Sequence, residues 1–110
     1  MSIALTIEKV EGEEVGREVP ISTNATYKKY WQPVITKEGL PWLQALLSPG
    51  FDITEEELPE VLAEVRALKA ALPRYYALES EAYQHMEGRL LRLLTELGAL
   101  TSKKVNLFFG

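Results

Sequence analysis

Apolar residues alternate with polar ones at both ends of this chain and recur every three or four positions through its middle. Ile3, Leu5 and Ile7 alternate with Ser2, Ala4, Thr6 and Glu8, the period of a half-buried strand. Glu11-Gly12-Glu13-Glu14 interrupts that pattern, and Val15, Arg17, Val19 and Ile21 then alternate with Gly16, Glu18 and Pro20, so the first two strands read as a hairpin. Pro20 has no N–H to give to a ladder and is expected at an edge or strand end. Val105, Leu107 and Phe109 repeat the alternation at the other end of the chain. An isolated hairpin is only marginally stable, so the last strand is expected to join the first two in one sheet.

Between these strands the period changes to that of helices. Ser22-Thr23-Asn24 offers N-caps for a helix over 25–33, in which Tyr27, Tyr30, Trp31 and Val34 share a side. Gly39-Leu40-Pro41 opens a second, short helix with Trp42, Leu43, Leu46 and Leu47 on one side, and Ser48-Pro49-Gly50 stops it. Ile53-Thr54-Glu55-Glu56-Glu57-Leu58 is a capping box with a hydrophobic staple, where Thr54 and Glu57 can exchange hydrogen bonds. Leu58, Val61, Leu62, Val65, Leu68 and Leu72 continue it as one apolar stripe. Pro59 requires either a distorted start or a regular helix that begins at Pro59 itself, and Pro73 ends the segment. A fourth helix is expected from about Arg74 to Leu97, with Gly98 as its C-cap and Tyr76, Tyr83, Met86, Leu90, Leu93, Leu94 and Leu97 inward. Leu91 and Leu100 widen that stripe beyond a coiled-coil seam, which suits a domain core or a dimer face. Together these elements predict a single α+β domain over 1–110: a small, mainly antiparallel sheet covered on one face by about four helices.

Composition narrows the possible roles more than it identifies one. With 46% hydrophobic and 25% charged residues the 110-residue chain is ordinary for a globular protein, and nothing in it approaches the roughly 20 apolar residues of a membrane span. The start of the chain lacks a basic leader, and Cys is absent, which fits a cytoplasmic, reducing setting. Charge is unevenly spread: residues 1–60 hold 11 acids against 5 bases and residues 61–110 hold 5 against 7, leaving the halves at −6 and +2. The bases are scattered, without the basic face that nucleic acid requires.

No phosphate-binding glycine loop, H-E-x-x-H pair, nucleophile elbow or calcium loop occurs, so those enzyme and cofactor classes are excluded by motif, and no cofactor is expected. His85 is the sole histidine. Glu81, His85 and Arg89 stand four apart on one helical face, but a catalytic zinc needs three protein ligands, so an exposed polar row is the simpler reading. Glu55, Glu56, Glu57 and Glu60 are explained in part by helix capping; with Glu11, Glu13 and Glu14 they could form an acidic face for a basic protein partner. Trp31 and Trp42, with Tyr27 and Tyr30, suit a core, and any of them left exposed would be a binding anchor. Tyr75-Tyr76 poses the same choice, because adjacent helical residues cannot both face inward.

One stretch carries a family resemblance. The order Ser22-Thr23-Asn24-Ala25-Thr26-Tyr27, then Leu40-Pro41-Trp42-Leu43 through Pro49-Gly50-Phe51, then Leu58-Pro59-Glu60-Val61-Leu62-Ala63-Glu64-Val65-Arg66-Ala67-Leu68 resembles a group of small bacterial immunity proteins that neutralise the toxin domains of polymorphic toxin systems. It covers residues 19–72, about half the chain; the long helix and strand after it have no counterpart in that group. The resemblance implies a stoichiometric inhibitor without catalysis and assigns no contact residue. The sequence therefore favours a non-enzymatic protein-binding module of immunity type. An assembly subunit acting through self-association, or a small enzyme using His85 and Glu81, are the alternatives.

Overall fold

The computed structural model describes residues 2–110. Four antiparallel strands form one sheet in the order β2-β1-β4-β3: β1 is Ser2–Val10, β2 Glu13–Thr23, β3 Phe51–Thr54 and β4 Val105–Phe109. The first and last strands are thus the two central ones. The β1–β2 turn places Glu11 and Gly12 at φ +53° and +80°, the left-handed pair that suits a tight hairpin. Pro20 lies on β2, an edge strand, as its missing N–H requires.

Helix α1 begins at Thr23, whose hydroxyl accepts the Thr26 amide at 3.1 Å, and runs without a break through Asn24–Thr26, a π-helical Tyr27–Trp31 and Gln32–Glu38. The widened turn precedes Pro33, whose ring would clash with the Lys29 carbonyl in a regular α-helix. Helix α2 is Pro41–Gln44 and α3 is Leu58–Ala71. Helix α3 starts at Leu58, one residue before Pro59, so Pro59 falls in the first turn, where its missing N–H costs no helical bond. Only half of the capping box forms as drawn: Glu57 Oε1 accepts the Thr54 amide at 2.8 Å, while the Thr54 hydroxyl accepts the amide of Glu56 at 3.3 Å rather than that of Glu57.

Several elements differ from expectation: α1 continues past Pro33 to Glu38, and α2 stops at Gln44, before Leu46 and Leu47. Phe51–Thr54 is a strand as well as the approach to a helix, pairing Ile53 with Leu107 on β4. Helix α4 spans Glu81–Gly98, not Arg74 onward, because Pro73 leaves only a 3₁₀ turn over Leu72–Arg74 and Ser80 supplies a fresh cap, accepting the Tyr83 amide at 3.2 Å. Tyr75 and Tyr76 therefore lie in a connection, where both can reach α1. The Tyr75 hydroxyl donates to Glu38 at 2.7 Å and that of Tyr76 to the Tyr30 carbonyl at 2.6 Å.

The core lies between the helices and one face of the sheet. Ile3, Leu5, Ile7, Val19, Ile21, Ile53, Val105, Leu107 and Phe109 are buried against the stripes of α1, α3 and α4. Most of the wide α4 stripe is used inside the domain: Leu90, Leu93, Leu97 and Leu100 are buried and only Leu91 is substantially exposed. Gly50 permits the close approach of β3 to β4, since a Cβ there would lie 2.7 Å from the Phe109 carbonyl oxygen. Among the described residues, no helix is long and apolar enough to cross a membrane.

Candidate functional site

The helices leave the second face of the sheet open. Register brings Glu18, Thr6, Phe108 and Asp52 into one row across all four strands, and Glu14, Lys9, Asn106 and Thr54 into the next row of the same face. At about 4.8 Å per strand, the row from Glu18 to Asp52 spans about 14 Å. Glu14, Glu18, Asp52 and Lys9 are exposed, so these rows carry three carboxylates against one ammonium. Phe108 stands in the middle, half-buried, its ring edge resting over Gly110 and Gly50 rather than against the core. Near one end, Gly16 at φ +66° and Val15 make the extra residues of a bulge on β2, and Glu8 is the extra residue of β1 against β4. The open face therefore carries one aromatic ring between carboxylates.

Of the glutamates singled out by the sequence, Glu14 lies on this face, whereas three of the four at 55–60 are engaged within the chain. Glu57 Oε1 holds the Thr54 amide, Glu60 Oε2 accepts the Trp42 indole N–H at 3.2 Å, and Glu55 Oε1 accepts the Val105 amide at 3.0 Å. Its own amide, that of Val105 and nearby Lys104 hold Glu55 below the usual carboxylate range. Glu56 is exposed and its side chain makes no hydrogen bond among the described residues. Trp42 is half-buried, tilted on Phe51 at 5.2 Å between ring centroids. Trp31 is fully buried and presents no surface to a partner in this state. Buried Tyr27 donates its hydroxyl to the Leu43 carbonyl at 2.8 Å, and burial pushes its pKa up to about 12.

His85 is not part of a simple exposed row. Its Nε2 accepts the Trp31 indole N–H at 3.1 Å, with the two rings edge to face at 6.0 Å, so the neutral tautomer must carry its proton on Nδ1. Burial, and secondarily the Arg89 guanidinium, lower its pKa below the ordinary 6.5, with Glu81 opposing. A depressed folded pKa means that the unfolded chain takes up the proton first. His85 therefore contributes nothing adverse above about pH 6.5, and stability falls as the pH drops from there to the folded pKa, below which the loss is constant. Urea midpoints are expected to decline over that interval, and the decline should disappear in His85→Gln. An unchanged slope in the variant would show that the imidazole is not responsible. The carboxylates held low, Glu55 and Glu96, lose their contributions only in a more acidic range.

His85 and Arg89 also line a cavity of about 280 Å³ with Glu18, Pro20 and Ser22 of β2, Ser2 to Ala4 of β1, and Thr23 and Thr26 at the start of α1. No known protein family, curated protein or solved structure matches the chain. The geometry alone therefore carries the functional reading. The open-face row was not found from the sequence because it needs the pairing of Thr6 with Phe108, far apart in the chain; its signal was the out-of-phase Glu18, Asp52 and Phe108 beside the core-facing positions.

Proposed function

We propose that this chain is a non-enzymatic protein-binding module whose open sheet face receives a basic protein, acting as a stoichiometric inhibitor of immunity type. The supporting observation is that face itself: a helix-free surface with Phe108 between Glu18 and Asp52. Half-buried aromatics supply contact area at small entropic cost, and acidic rims accelerate encounter with basic surfaces. The resemblance over residues 19–72 accords with this role. The best acid–base candidate, His85, already has its Nε2 occupied by Trp31.

The test begins with affinity capture at low and high salt, which yields a partner for kinetics with purified components. Glu18→Lys with Asp52→Lys is expected to slow association by roughly tenfold at low salt and to flatten its salt dependence. Phe108→Ala should mainly speed dissociation. Unaltered rates in both variants against a verified partner would remove the open face from the interface. Light scattering distinguishes the self-association alternative, for which an oligomer resistant to dilution would be required.

A further inference from the structure

The cavity at the β2 edge is built from four separate elements and has a polarity of its own. Arg89 is half-buried there and makes no ion pair or hydrogen bond among the described residues, an arrangement that leaves a cation short of the partner its environment favours. One helical turn away, His85 offers Nδ1–H, since Nε2 is committed to Trp31. Thr26 Oγ1 accepts from the Thr23 hydroxyl, so its own O–H is free to donate. All three of these residues line the cavity, so it holds one cation and two further donors suited to an anion. Glu18 also lines the cavity and would repel a ligand that was negative throughout, whereas it would pair with an ammonium. Ile3, Ala4 and Pro20 add apolar lining between. A volume of about 280 Å³ is at the lower limit of small-molecule pockets, enough for several heavy atoms but not for a nucleotide.

We propose that this cavity binds a small aliphatic amino acid, its carboxylate on Arg89, Thr26 and His85 and its ammonium toward Glu18. The site is distinct from the basic-protein surface except at Glu18, so Arg89 is the residue that separates the two. Because Trp31 bonds the His85 ring, the Trp31 indole N–H resonance reports occupancy. Trp42, which donates to Glu60, serves as an internal control of the fold.

The experiment is a titration of the isotope-labelled protein with L-valine, followed by sodium acetate and methylamine separately, at constant pH and ionic strength. Valine is expected to shift the Trp31 indole peak saturably while the Trp42 peak stays fixed, and Arg89→Gln and Glu18→Gln should each raise the apparent Kd by roughly tenfold or more. Absence of a saturable shift, or a shift that survives Arg89→Gln, overturns the site. Acetate acting as well as valine overturns the assignment of a zwitterion. Arg89→Gln is expected to leave association with a basic protein partner unchanged, so the two readings fail independently.

Discussion

Phe109→Ala is expected to remove about 3–5 kcal/mol of folding stability, while Phe108→Ala, one residue away, should cost under about 1.5 kcal/mol. The difference follows from the pleat. Phe109 is fully buried on β4, a central strand; it pairs with Leu5 and Phe51, and its ring stacks on that of Phe51 at 4.9 Å and 18°. Removing it leaves a cavity among side chains fixed by both sequence ends, with little freedom to collapse. Against a typical total of about 5–15 kcal/mol, such a loss would leave a large part of the molecules unfolded under mild stress. Phe108 points to the open face and rests on glycines, so its truncation mostly removes exposed area. Urea denaturation of both variants checks this through the midpoint at constant slope. Equal losses would mean that the open face is packed rather than free, and the docking surface would go with it.

How much of this could be seen in the sequence depends on the distance over which each signal acts. Strand β1 was legible because Ser2 to Glu8 alternate without a break, and β2 and β4 because Val19 and Ile21, and Val105, Leu107 and Phe109, keep the period although Arg17 and Phe108 interrupt it. Strand β3 was not, since Phe51–Thr54 offers only two in-phase apolar residues and merges with the capping motif of α3. The start of α4 was misplaced because Tyr76 and Tyr83 stand seven apart, a helical interval, although the former belongs to the connection and bonds to the Tyr30 carbonyl. Thr23 as a cap and Pro20 at an edge are local events, and local chemistry was sufficient for them.

The site residues depend on pairings that periodicity does not encode. Trp31 meets His85 across 54 positions, and Glu18 shares a row with Phe108 only because β1 lies between β2 and β4. Strand order 2-1-4-3 brings the two ends of the chain together at the centre of the sheet, so this surface exists only once the whole chain has folded. The acidic first half was correctly counted, but its charges serve two purposes. Glu55, Glu57 and Glu60 hold backbone and indole donors, whereas Glu14, Glu18 and Asp52 stand free on the open face.

Glu64→Ala is expected to cost about 1–3 kcal/mol and also to loosen the open face, although Glu64 lies neither on that face nor at the cavity. Helix α2 is only four residues long and cannot sustain itself; Pro41 has no N–H to satisfy, and Leu40 before it provides no side-chain cap. The orphan donors of its first turn are met from α3: Glu64 Oε2 accepts the Trp42 amide at 3.2 Å and Oε1 the Leu43 amide at 3.1 Å. One turn earlier Glu60 takes the Trp42 indole, so two carboxylates four residues apart fix both the backbone and the ring of Trp42. That ring lies on Phe51, the residue before Asp52 on β3. Losing Glu64 frees α2, then Trp42, then the strand that places Asp52 in the row with Phe108. Amide exchange at Trp42 and Leu43 should accelerate well before global unfolding, and Glu64→Gln, which keeps one acceptor oxygen, should fall between wild type and alanine. Stability within about 0.5 kcal/mol of wild type, with unchanged exchange at both amides, would show that water replaces the carboxylate without loss and that β3 is held by its ladder alone.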